Sequence, residues 1–328
     1  MDKTLIGALD IGGTKIAAMV ANADGPLLRL SAPTIKIGAA RAVGDQALSL
    51  LNTVCVQAGI EPGALAAVGV ASCGPFTEID GMLALATPNI CGGKSGRADL
   101  PNDWEAIPLE AVLREQFQTI QIEIDCVAAL AGERAFGGAQ GESNCVYVTW
   151  STGIGFGLCV DGHLLRGKHG NAGHGGHMLM DPQSDALCGC GNRGDLEALI
   201  AGRAIGQRAG LSTPALFAAA AAGDHAARAA VEAAAAWLGR ALYNLAVILD
   251  TRLFLIGGSV WLHHGSWLAP IVQREIDARM PALTHGVLLQ PAALGALTAD
   301  IGALTLVMPD SWRPHWNRTQ PWRALAGD

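Results

Sequence analysis

Aromatic and charged side chains are scarce in this chain, and long apolar runs are missing. Phe, Trp and Tyr make up 5% of its 328 residues and Asp, Glu, Lys and Arg 16%, against 50% hydrophobic residues. A core with so few rings must be closed by small aliphatic side chains, and the length is enough for two domains. The apolar residues come in short segments, none near the roughly 18 to 20 in a row that a membrane-spanning helix needs. Nor does the N-terminus show the basic, apolar and small-residue succession of a secretory signal. These absences predict a cytoplasmic globular protein with no membrane partner. A basic excess is also missing: Lys and Arg number 22 against 29 Asp and Glu, a net charge of −7, so no basic stripe is available for nucleic acid. Of the eight cysteines only Cys188 and Cys190 lie close together, which excludes a secreted disulfide framework. No internal repeat or low-complexity linker divides the chain.

What is abundant is glycine, and it collects where chemistry-bearing side chains collect. Asn171-Ala172-Gly173-His174-Gly175-Gly176-His177 is followed by Cys188-Gly189-Cys190-Gly191-Asn192-Arg193-Gly194-Asp195-Leu196-Glu197. Two imidazoles, two thiols and two carboxylates among small residues mark a site, because glycine adds little to a core and loses the most entropy on ordering. His and Cys at such spacings are the usual zinc ligands.

Three further segments share one plan, an apolar strand running into a glycine turn. Leu5 to Val20 carries Asp10-Ile11-Gly12-Gly13-Thr14-Lys15 between two apolar runs. Its bare backbone and the Thr14 hydroxyl suit a phosphate, with Asp10 placed for magnesium or its waters; an ordinary Gly-Gly hairpin is the plainer alternative. Val146 to Gly162 repeats the plan around Thr152 and Gly153, and Arg252 to Trp261 ends a buried strand on Gly257 and Gly258.

Between these lie elements of ordinary pattern. Ala40 to Ala58 has helical spacing, and Leu65 to Phe76 reads as a buried strand ending in a Gly-Pro turn. A loop from Ala86 through Asn89 to Trp104 follows, with Asn102 close to Trp104 as a second Asn that competes with Asn89 for any role there. Thr119 to Asp125 is a strand leading into a helix over Cys126 to Glu133, so Asp125 stands where an N-cap is favoured. Thr213 to Asp250 is Ala-rich helix, and the tail from Met308 carries Trp312, Trp316 and Trp322, either an oligomer arm or a loose end unless the rings pack.

Taken in order, the glycine turns with the His and Cys segments resemble the ROK family (repressors, open reading frames and sugar kinases), within the actin-like and hexokinase-like ATPase superfamily, over Leu5 to Val307. The resemblance implies an α/β chain with a two-lobed fold and ribonuclease-H-like cores. Residues 1–123 would be the N-terminal lobe and 124–294 the C-terminal lobe with the His/Cys segment 171–197; a final helix near 295–307 crosses back, and 308–328 extend beyond the family core. It implies transfer of the γ-phosphoryl group of ATP, with magnesium in the cleft, to a sugar hydroxyl, usually that on carbon 6. Asp10, Gly12, Gly13, Thr14, Lys15, Thr152, Gly153, Gly257 and Gly258 would then hold ATP and magnesium. Asp125 matches the general base, and Asn89, Asp125, His174, His177 and Glu197 match the sugar contacts. His177, Cys188, Cys190 and Asp195 would hold zinc, or the loop keeps its shape without metal.

Three positions depart from the family pattern. Ile124 stands where Asn usually precedes the base, Asp195 replaces a third Cys, and His174 replaces the Glu of most sugar kinases, as in members acting on N-acetylmannosamine. The acceptor is therefore expected to be a hexose or amino sugar, with N-acetylmannosamine foremost; an unusual deoxy or amino sugar, a cyclitol, or a non-catalytic sugar sensor are the alternatives. The implied partners are a small-molecule sugar and further copies of the chain, as a homodimer or higher oligomer. Family repressors carry a DNA-binding domain ahead of the first glycine turn, whereas only nine residues precede Asp10 here, so no nucleic-acid partner is expected.

Overall fold

In the computed structural model, which describes residues 3–94 and 100–325, Leu5–Ile11 (β1) and Lys15–Asn22 (β2) form the antiparallel pair that opens a five-stranded sheet. Gly25–Pro33 (β3) flanks β2, while Leu65–Ser72 (β4) and Ile120–Ile124 lie parallel on the other side of β1. The central strands are apolar on both faces because both faces are covered. One cover is the helix Ala42–Gln57 (α1), shorter at each end than its periodicity predicts. Phe76–Ile79 (β5) and Met82–Leu85 (β6) make a small hairpin after the cis Gly74–Pro75 bond, so the predicted strand ends at Ser72. With these counted, the strand Ile120–Ile124 is β7. The loop after β6 is described except for residues 95–99, which lie outside the described residues; a short helix, Leu109–Arg114 (α2), follows it.

The helix after β7 runs from Asp125 to Phe136 (α3), three residues longer than expected at its C-terminal end. Asp125 is its first residue rather than its cap. The N-cap is Ile124, and the Asp125 carboxylate accepts instead from the N–H of Cys126, at 2.7 Å.

A second unit holds Gly141–Leu165 and Gly173–Ala292. Its sheet is built from Cys145–Trp150 (β8), Ile154–Val160 (β9), His163–Leu164 (β10), Leu253–Gly257 (β11) and Leu288–Pro291 (β12), in the order β10-β9-β8-β11-β12. Short helices Leu196–Ile200 (α4) and Gly202–Arg208 (α5) precede Thr213–Ala221 (α6) and the 25-residue His225–Leu249 (α7). The Ala-rich stretch is thus two helices, the second burying Ala234, Ala235, Leu238, Ala241 and Leu242. Ser259–Asp277 (α8) and Pro281–Thr284 (α9) complete it.

The chain then rejoins the first unit, which consists of residues up to Gln140, 166–172, and those from Ala293 onward. Thr298–Val307 (α10) packs against α3, β1 and β4, with Ile301, Ala303 and Leu304 fully buried. Arg313–Thr319 (α11) follows. Trp312, Trp316 and Trp322 are at most 4% exposed and cluster with Phe136, whose ring centroid lies 5.8 Å from that of Trp316 and 5.2 Å from that of Trp322. The described part of the tail is therefore folded core and not a loose end.

Candidate functional site

Asp10 and Asp125 come to one edge of the first sheet because β1, β4 and β7 run parallel. Asp10 is the penultimate residue of β1 and Asp125 directly follows β7, so both sit at carboxyl ends of parallel strands on either side of β4, the edge where open α/β sheets bind ligands. Burial first, then the neighbouring Asp300 and Asp125 carboxylates, push Asp10 up to about 7, against the pull of Lys15 and Arg29. Such a group is short of positive charge. Asp300, on α10, is 3% exposed and paired with Arg29 of β3 through two hydrogen bonds of 2.9 and 3.1 Å. The β-register puts Asp10, Ala17, Met19 and Arg29 on one face of the sheet. Neither Arg29 nor Asp300 carries a motif, so sequence reading passed over both.

The turn after β1 closes on itself. The Gly12 N–H donates to the Lys15 carbonyl at 3.0 Å, and Thr34 donates its hydroxyl to Gly12 and its N–H to the Thr14 carbonyl. Thr14 and Lys15 at its tip are exposed.

Asn102 uses its whole side chain in the fold: Oδ1 accepts from the N–H groups of Gly92 and Trp104, and Nδ2 donates to the carbonyls of Lys36 and Ile90. All four bonds an amide readily makes are spent. Asn89 stands in the turn that Asn102 supports, where Ile90 and Cys91 donate back to the Thr87 carbonyl. Asn171 does comparable work further on, clasping the backbone N–H and carbonyl of Phe76.

In the second unit the turn Ser151–Gly153 links β8 to β9 and is tied by Ser151 N–H to the Gly153 carbonyl. Glu197, in the first turn of α4, accepts from the Ile154 N–H through Oε2 at 3.0 Å, while the Cys188 thiol lies 3.6 Å from its Oε1. Gly257 ends β11, and Gly258 is the N-cap of α8. His174 is half-buried, its ring 6.2 Å from that of His177.

His177, Cys188, Cys190 and Asp195 present ligand atoms that all lie within 4.8 Å of one another. His177 Nδ1 is 3.1 Å from Asp195 Oδ2, 3.7 Å from Cys188 Sγ and 3.5 Å from Cys190 Sγ, and Cys190 Sγ is 3.6 Å from Asp195 Oδ2. Tetrahedral zinc with N, O and S donors spaces its ligands at about 3.3 to 3.8 Å, the edges that its bond lengths generate. The donor set fits zinc. The hydrogen bond that His177 donates to Asp195 raises the imidazole above its ordinary range against the effect of burial. Burial pushes Asp195 up, but hydrogen bonds from His177, the Ala198 N–H and Cys188 more than offset it and leave the carboxyl below its usual value. Burial also holds the Cys188 thiol well above its ordinary pKa, so a thiolate there wants a cation beside it. One feature was not legible beforehand. Asp195 caps α4, its Oδ1 accepting the Ala198 N–H at 2.7 Å while Oδ2 faces His177.

The ROK family profile matches residues 6–309. An N-acetylmannosamine kinase of Escherichia coli O139:H28 (strain E24377A / ETEC) is 34% identical over 290 residues, covering 86% of this chain and 91% of that one. A ROK hexokinase from Thermus thermophilus superposes with a TM-score of 0.76 at 32% identity, covering 92% of this chain and 97% of its own. A ROK family glucokinase from Streptomyces griseus, solved with glucose and AMPPNP, gives 0.67 at 26% identity, over 91% and 97%.

Proposed function

The chain belongs to the ROK family, and on that footing we propose that it is an ATP-dependent sugar kinase whose acceptor is a hexose or amino sugar, N-acetylmannosamine before others, phosphorylated on its 6-hydroxyl. The observation that carries the reading is the shared position of Asp10 and Asp125 at the carboxyl ends of the parallel strands β1 and β7, on either side of β4. Phosphoryl transfer needs one carboxylate for the metal that accompanies the nucleotide and one to take the proton of the attacking hydroxyl. Asp125, anchored by the Cys126 N–H, is the base. Asp10 is the residue that would hold magnesium, which when bound neutralises charge on the phosphoryl oxygens. Its raised pKa among carboxylates fits that task. Thr14, Lys15, Thr152, Gly153, Gly257 and Gly258, with Gly12 and Gly13, are assigned to the nucleotide.

Asn89, His174, His177 and Glu197 are assigned to the sugar hydroxyls. His177, Cys188, Cys190 and Asp195 would hold zinc, which supplies rigidity: with Nδ1 turned to the cluster, the His177 ring keeps one orientation and leaves Nε2 for the substrate. A panel of hexoses and N-acetyl amino sugars with ATP, read by ADP release, tests the reading; no turnover on any of them removes it.

Two expectations follow from individual side chains. Neutral His174 both donates and accepts, whereas an ionised Glu only accepts. His174→Glu should move the kcat/KM ratio toward glucose and away from N-acetylmannosamine by about ten-fold, roughly the worth of one hydrogen bond. An unchanged ratio would mean that this position does not read the sugar.

The second concerns the metal. Purified protein should carry close to one zinc per chain by elemental analysis. Asp195→Asn keeps a good helix cap but loses the anionic ligand, so it should lose zinc while the metal-free thermal midpoint stays that of the stripped parent. Asp195→Cys should hold zinc more tightly through a softer ligand but give up a cap worth about 1 kcal/mol. Removing zinc should weaken sugar binding more than ATP binding. Active protein without zinc would leave His177 as a sugar contact alone.

A further inference from the structure

Two glycines of the nucleotide turns are bare for a reason that lies inside the protein. A Cβ on Gly13 would stand 2.9 Å from the Cβ of Asn89 and 3.5 Å from its carbonyl oxygen. In the second unit, a Cβ on Gly153 would stand 2.6 Å from Oε2 of Glu197. Ordinary contacts between such atoms are about 3.5 to 4.0 Å, so an alanine at either place must displace its neighbour by roughly half an ångström or more.

Neither neighbour is free to yield. The Asn89 turn is pinned by Ile90 and Cys91 to the Thr87 carbonyl and by Asn102 to Gly92 and Ile90. The Glu197 carboxylate is pinned by the Ile154 N–H, the residue next to Gly153, and approached by the Cys188 thiol. Each unit thus sets the glycine of its nucleotide turn against a side chain assigned to the sugar.

We propose that Gly13 and Gly153 are positioning residues for the sugar contacts Asn89 and Glu197, so that the turns assigned to the nucleotide also set the acceptor's placement. This rests on the kinase reading above. It separates two roles that a glycine turn would otherwise be given together: open backbone for phosphate, and clearance for a neighbouring side chain. The second role predicts damage on the sugar side. Misplacing a substrate contact by about 1 Å can cost 10²-fold.

The test is steady-state kinetics on the full chain with ATP and the sugar that the parent turns over best, comparing the parent with Gly13→Ala, Gly153→Ala, Asn89→Gly and the Gly13→Ala/Asn89→Gly double variant. Each glycine variant should lower kcat/KM for the sugar by about 10- to 100-fold, chiefly through KM, and raise the KM for ATP by much less than the KM for the sugar. In the Asn89→Gly background, where the obstructing Cβ is gone, Gly13→Ala should raise the sugar KM no further. A rise in the ATP KM with the sugar KM unchanged would overturn the proposal. So would a Gly13→Ala penalty of the same size in both backgrounds. If Gly13→Ala does not fold, Gly153→Ala carries the same comparison in the other unit. A parent that phosphorylates no sugar would remove the kinase reading and this proposal with it; an active parent with an ATP-side penalty removes this proposal alone.

Discussion

Replacing Asp125 with Asn should reduce phosphoryl transfer by about 10² to 10⁴-fold, the usual cost of removing a positioned base, while binding of both substrates changes little. The isosteric amide keeps an oxygen for the Cys126 N–H, so the start of α3 has no reason to rearrange. What is lost is a group able to accept the hydroxyl proton. Single-turnover rates measured alongside sugar and ATP affinities separate the two effects. Turnover near that of the parent would reduce Asp125 to a structural first-turn residue, and loss of sugar binding without loss of rate at saturation would make it a contact only.

The largest stability effect is expected far from this chemistry, at Trp316. It is fully buried, donates its indole N–H to the Ala23 carbonyl at 3.1 Å, and meets Trp312, Trp322 and Phe136. Trp316→Ala should cost about 3 to 5 kcal/mol, the range for truncating a large buried ring. For a unit of this size that lowers the thermal midpoint by at least about 6 °C. Circular dichroism on heating would show it, and kcat at a temperature where the variant stays folded should be unchanged. A midpoint within a degree of the parent would mean that the aromatic cluster does not support the first unit.

These two residues illustrate what was legible beforehand. Asp125, the glycine turns and the His/Cys segment could be found because each is a contiguous pattern whose residue types have few other uses. The same holds for the strands flanking the turns, whose apolar runs follow from burial on both faces. Boundaries were read less well, since helix ends depend on local bonding: Asp125 was expected as a cap, and the structure makes it the first helical residue. Contacts across long stretches of chain left no signal at all. Arg29 pairs with Asp300 across 271 residues, and Trp316 reaches Ala23 across 293. That the Asn102 side chain is taken up by four bonds within the fold likewise left no mark on the sequence. Asp195 was identified by its place in a ligand pattern, but its second oxygen, spent on α4, follows from a helix start that the pattern does not specify.

The order in which the first unit's pieces occur along the chain has a consequence for synthesis. Its sheet is complete once β7 has been made, yet one face of that sheet waits for α10, whose Ile301 and Leu304 are fully buried, and Phe136 waits for the tryptophans of the tail. At about 5 to 20 residues per second, a ribosome spends on the order of ten seconds on the second unit before those pieces emerge. During that interval the apolar faces of β1, β4 and α3 lack their cover. The second unit, made without interruption apart from residues 166–172, has every one of its strands before the first unit has its last helix. A nascent chain halted just before α10 therefore carries a nearly complete second unit behind an open first one, the kind of half-closed surface that chaperones bind and proteases cut.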